Sequence, residues 1–147
     1  MAVITTEYMF LSLVLISITV IVIGFINNMN NTMYNQREVD ILLSKFRNTL
    51  LYIPFVPDGS EYIITNPNQL PLTIYQGETP DGKYFVQISS SHGDYTNDVK
   101  IYNIKIDNLA VGQIYSTQNS FIRILKVRNE FVGNFSLTHI IIGWYSL

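Results

Sequence analysis

The residues able to do chemistry are few. His92 and His139 are the only imidazoles in 147 residues, and the chain has no cysteine. Without a thiol there is no disulfide, no thiolate metal site and no cysteine nucleophile. Neither histidine has a second one at ligand spacing, so each is expected to be a satisfied or solvent-facing ring rather than a metal ligand. His92 lies in a polar stretch, SSHGDYTND, whose Asp94, Asn97 and Asp98 offer hard oxygen atoms. They lack the ligand spacing and closing glutamate of a calcium loop, and a solvated loop is the expected reading. The segment GETPDGK, from Gly77 to Lys83, lacks the spacing and ending of a phosphate-binding loop. No G-x-S-x-G occurs. The expectation is therefore no catalytic residue, no metal and no cofactor.

Glu7 carries the most pointed chemistry. It stands immediately before Tyr8–Ile26, YMFLSLVLISITVIVIGFI, which holds no charge. A carboxylate there has two readings. It can lie at a membrane interface near a helix N-terminus, where the helix dipole favours it. Alternatively it pairs with the N-terminal amine of a neighbouring chain, since no Lys or Arg precedes Arg37. An unpaired carboxylate inside a water-free bundle costs several kcal/mol, so the second reading makes Glu7 a register-setting contact.

The element that positions Glu7 is the apolar run itself. Nineteen residues as a helix cover about 30 Å of hydrocarbon. Ser12, Ser17 and Thr19 can bond back to the carbonyl four residues earlier, which makes them cheap in lipid. The β-branched run Val20–Ile23 lowers helix propensity in water, but a lone strand in a bilayer leaves its backbone unpaired, so a helix is expected. A cleaved secretory signal would carry basic residues in front and small ones behind. Here the flanks are MAVITTE and NNMNN.

Composition agrees. Hydrophobic residues make up 48% and charged ones 14%, against about 25% charge in an ordinary soluble domain. Mean hydropathy is +0.20. A net charge of -2 gives no basic surplus for phosphate neutralisation, so no nucleic-acid partner is expected.

Beyond the Asn-rich NNMNNTMYN, residues 36–52 place Val39, Leu42, Leu43, Phe46 and Leu50 on one helical stripe. Arg37, Glu38, Asp40, Lys45 and Arg47 take the other faces. This second helical stretch suits packing against a β-domain, and Pro54 and Pro57 stop it. The remainder reads as about seven short strands: 61–65, 72–76, 84–89, 99–106, 113–115, 121–127 and 136–145. Pro80-Asp81-Gly82 turns the second into the third. In 121–127, apolar residues fall on both faces, which predicts cover on both sides. The fold class is α+β. A long hydrophobic N-terminal helix, 1–52, precedes a small antiparallel β-sandwich or barrel, 53–147.

An N-terminal ITTEYMFLSLVLISITVIVIGFI, a polar break, a second helical stretch and a β-rich remainder resemble an archaeal type IV pilin or archaellin. The resemblance covers the N-terminus and the overall layout. It implies a helix held in the membrane before assembly and then packed in a filament core with many copies of itself. The residues it would use for assembly are Glu7, Tyr8, Phe10, Leu11, Leu15, Ile18, Val22 and Phe25. Precursors of that family carry a short basic leader cut before the apolar run, so Met1 is expected either to follow that cut or to begin a chain used uncleaved. The expected function is a structural subunit of an extracellular pilus-like filament for adhesion. The alternative is a membrane-anchored β-domain, like an archaellum stator or a surface-layer-binding protein.

Ten tyrosines supply amphipathic contact area suited to interfaces. Two sequons, Asn30-Asn31-Thr32 and Asn134-Phe135-Ser136, could carry glycan if the domain is outside the cell. Asn134 falls in an expected turn; Asn30 falls on the helix.

Overall fold

A computed structural model describes residues 2–145. One unbroken helix, α1 (Ala2–Tyr52), runs for 51 residues, about 76 Å at 1.5 Å per residue. The Asn-rich segment does not kink it. A single 3-10 turn, Ile53–Phe55, ends it at Pro54, and Val56 then turns extended. Eight strands follow: β1 (Glu61–Thr65), β2 (Leu72–Glu78), β3 (Tyr84–His92), β4 (Tyr95–Tyr102), β5 (Ile104–Ile106), β6 (Ile114–Thr117), β7 (Phe121–Val132) and β8 (Phe135–Tyr145).

The strands form two four-stranded sheets, in the orders β1-β7-β8-β5 and β4-β3-β2-β6. This is the sandwich, with no closed barrel. Every pairing is antiparallel except β5 with β8, which is parallel. The stretch expected as one strand over 99–106 is divided at Asn103. Asn103 takes a left-handed φ of 63°, which Asn tolerates better than most residues. Its N–H donates to Tyr84 O and its carbonyl accepts from Thr138 N. The chain thus crosses from one sheet to the other at this residue.

The expected stripe on the second half of α1 is the helix's contribution to the core. Val39, Leu42, Leu43, Phe46 and Leu50 join isoleucines and valines of both sheets in one apolar cluster. The helix lies chiefly against β4 and β3 and also reaches β1, so residues 39–50 are part of the β-domain's interior. Strand β7 corrects a second expectation. Only the face of Ile122, Ile124 and Lys126 is buried, while Phe121, Arg123, Leu125 and Val127 are half-exposed. Arg123 forms a bidentate pair with Glu61 on that outer face.

Buried polar side chains fasten the pieces. Gln76 on β2 is fully buried and donates to Ile106 O at 3.1 Å and Leu109 O at 2.6 Å, while its Oε1 accepts from Ile106 N. It stitches one sheet to the other, and every polar atom of its amide is engaged. Asn66 makes a similar knot with Leu70 and the Asn119 carbonyl. Lys126 is 2% exposed. Its Nζ donates to Pro54 O at 3.0 Å and Val56 O at 2.5 Å, with Asp58 Oδ1 at 3.7 Å. The ammonium therefore binds carbonyls of the turn that follows α1.

Candidate functional site

From Tyr8 to Ile26, fifteen large apolar side chains of α1 are exposed, on every face of the helix. Among the described residues this is the one helix long and apolar enough to cross a membrane, and no residue of its most apolar window is buried. An all-round apolar helix is stable only inside lipid or inside protein. Leaving it in water would cost on the order of tens of kcal/mol. Two of the three hydroxyls bond back as expected. Ser17 Oγ donates to Leu13 O and Thr19 Oγ1 to Leu15 O, each at 2.8 Å.

The eight residues expected to mediate assembly all lie on this exposed half. Tyr8, Phe10, Leu11, Leu15, Ile18, Val22 and Phe25 are between 48% and 70% exposed, and Glu7 is exposed beside them. At 100° per residue the eight positions fall within an arc of about 160°, so they share one side of the helix.

Where α1 enters the β-domain, the β3–β4 hairpin braces it. His92 and Tyr95 pair across a two-residue turn, Gly93-Asp94, with Gly93 at φ 61°. The SSHGDYTND stretch is therefore hairpin and strand, not the expected loop. His92, Tyr95 and Asn97 meet the helix, which is why a polar sequence can be ordered here. The Tyr34 ring meets the His92 ring edge-on at 6.1 Å. A Cβ on Gly93 would lie 2.6 Å from Asn35 Nδ2. Tyr95 OH donates to Asp40 Oδ1 at 2.9 Å, and Asn97 Nδ2 to the same oxygen at 3.1 Å. That hydrogen bond to the Asp40 carboxylate, followed by burial, raises the Tyr95 phenol above its ordinary value.

His139 is the polar cluster that spacing alone did not reveal. It is 3% exposed. Its Nδ1 lies 2.6 Å from Asp107 Oδ1 and its Nε2 2.6 Å from Glu130 Oε2. It is thus a satisfied ring, as expected, but its partners are 32 and 9 residues away in sequence. The imidazolium is the form that donates both bonds. Its structural work is visible: it ties the outer half of the β7–β8 hairpin to the loop after β5. Among the described residues no group of three or more His, Asp and Glu side chains is arranged to hold a metal ion.

The tyrosines divide between the surfaces. Tyr8, Tyr34, Tyr52 and Tyr102 are exposed; Tyr62, Tyr75, Tyr84, Tyr95 and Tyr115 are half-buried. No protein-family model matches this chain, and neither does any curated protein or solved structure.

Proposed function

We propose that the chain is a structural subunit of an extracellular type IV pilus-like filament, used for adhesion, in which α1 packs in the core and the β-sandwich forms the sheath. The observation that carries this reading is the helix that is apolar on all sides from Tyr8 to Ile26 yet integral to the β-domain's core from Val39 onward. Such a helix needs lipid before assembly and other helices after it. Lipid is as apolar as leucine, so exchange of lipid for neighbours is driven by packing and polar pairing rather than by escape from water. Glu7 is the polar group placed to select the partner.

Electron microscopy of cells and shed material, with antibody to the β-domain, tests the reading. Filaments labelled along their length support it. A chain found only in the membrane fraction, as detergent-soluble monomers or dimers, replaces it with the membrane-anchored alternative. Glu7→Gln keeps the shape and removes the charge, and is expected to slow filament growth while leaving the β-domain folded. Filaments of normal rate and length would reduce Glu7 to an interfacial residue.

A further inference from the structure

Beyond its last partners in the sheet, the β7–β8 hairpin continues as a two-stranded arm. Pairing of β1 with β7 ends at Leu125, and pairing of β5 with β8 begins at Thr138. Past Thr138 the two strands pair only with each other, from Glu130↔Leu137 out to Val132↔Phe135. The arm stands where α1 finishes, since Asn129 Nδ2 donates to Pro54 O at 2.9 Å. At its root it is held by the His139–Glu130 contact and by Thr138 Oγ1 donating to Asn129 Oδ1.

The tip is Gly133-Asn134, a two-residue turn with Gly133 at φ 61°, the conformation that a hairpin turn with glycine first demands. Asn134 is exposed there. Phe131, three residues before it, is 84% exposed, the most exposed of the large apolar side chains described. An isolated phenylalanine held out on a narrow ribbon is otherwise unexplained. In the register of the arm Phe131 pairs with Ser136. Cross-strand partners share a face, and so do residues two apart. The sequon's Ser136 and the exposed ring therefore lie on one face of the arm, next to the turn that holds Asn134.

The second sequon is built the other way. Asn30 and Thr32 sit within α1. Two residues along a helix turn by about 200°, which points the pair to opposite sides. The Thr32 hydroxyl also donates to Asn28 O at 3.0 Å.

We infer that Asn134, and not Asn30, is an N-glycosylation site, and that the first sugar covers the Phe131 ring. This rests on the proposed extracellular place of the β-domain. The donor class is a lipid-linked oligosaccharide. The Asn134 amide nitrogen bonds to the anomeric carbon and gives up a proton. The bond from that carbon to the lipid phosphate breaks, and the phosphate leaves with the electron pair. The C–H face of the sugar then lies on the negative face of the aromatic ring, which removes the ring from water. The exposed phenylalanine and the sequon become one feature instead of two.

The test uses the full chain purified from the cells that make it, in parallel with protease treatment of intact cells. Peptide mass spectrometry should find a sugar-series mass on the peptide containing Asn134 and the bare mass on that containing Asn30. Ser136→Ala should abolish the added mass. Phe131→Ala should keep the sequon but leave the glycosylated arm exchanging amide hydrogens faster than the glycosylated wild type does. A bare Asn134 on a β-domain that external protease can reach overturns this inference and leaves the filament reading standing. A β-domain shielded inside the cell overturns both. Glycan on Asn30 alone, or equal exchange in Phe131→Ala, overturns the assignment of site or ring.

Discussion

Where the chain is cut decides whether the β-domain survives. Among the described residues, all the large buried apolar side chains lie at or beyond Val39. A fragment spanning 36–147 therefore keeps the whole core and discards only the exposed apolar helix, with the Tyr34 and Asn35 contacts to the hairpin. A fragment spanning 53–147 keeps every strand but loses Val39, Leu42, Leu43, Phe46 and Leu50. Full burial of such a side chain contributes about 1.5–3 kcal/mol. Losing five removes about 7–15 kcal/mol as an upper estimate, which matches the entire stability of a typical domain, about 5–15 kcal/mol. It also uncovers apolar residues of β3 and β4. The expected outcome is a soluble, cooperatively unfolding, sheet-rich monomer for 36–147 and an aggregating or unfolded product for 53–147. Urea melts followed by circular dichroism, with sedimentation for mass, measure both. Equal midpoints for the two fragments would refute the claim that the second half of α1 belongs to the core.

Three further outcomes follow from the same contacts. Lys126→Met keeps the stem and removes the ammonium; relief from burying a charge is outweighed by the carbonyl left unmet at Val56, Pro54 O keeping its bond from Asn129 Nδ2, and urea melts of 36–147 should show a loss of about 1–3 kcal/mol. Tyr95→Phe tests the brace through pH. The neutral phenol donates to Asp40, so its contribution is present below the ordinary tyrosine value of 10.0 and is lost as pH rises through the raised folded value; the wild type's margin over Tyr95→Phe should vanish in alkaline melts, and a margin independent of pH would sink the idea. Gly77→Ala places a Cβ 2.3 Å from Phe85 Cζ, which forces that ring out of its row with Tyr75 and Tyr102 at about 1–3 kcal/mol; near-ultraviolet circular dichroism should change with the melting point.

Periodicity made the helical stripe legible, because each of its five residues needed a buried face. Turn chemistry made the β2–β3 hairpin legible. There Thr79 Oγ1 donates to Asp81 Oδ1 and holds the Asp81 carboxyl below its usual range. Strand β1 emerged with its expected bounds. What escaped was structure whose cause lies far off in sequence. Asn97 and Asp98 have poor strand propensity, and β4 accommodates them because Asn97 donates to Asp40 on the helix and Asp98 accepts from Gln87 on β3. The split at Asn103 turns on one left-handed residue inside an alternating apolar run, which hydropathy does not register. Lys126 reads as a solvent-facing lysine until the helix end is placed above it. The Asp107–His139–Glu130 contact needs the register of a hairpin with a bulge between Lys126 and Arg128, a one-residue offset that no pattern of polarity announces. Of the candidate site, the apolar span and its hydroxyls were readable. The brace that aims the span was not.

The unbroken course of α1 through its Asn-rich segment means that the apolar half and the sandwich turn as one body. Each residue of a helix advances the azimuth by about 100°. A neighbour that engaged the apolar half one residue out of register would thus meet the sandwich swung by more than a quarter turn, with a different wall facing it. Apolar contacts among valines, isoleucines and leucines are nearly indifferent to such slips; two sandwiches in collision are not. In the proposed filament the β-domain would thus act as a gauge for the helix, rejecting by its bulk the mispackings that a smooth apolar surface would accept.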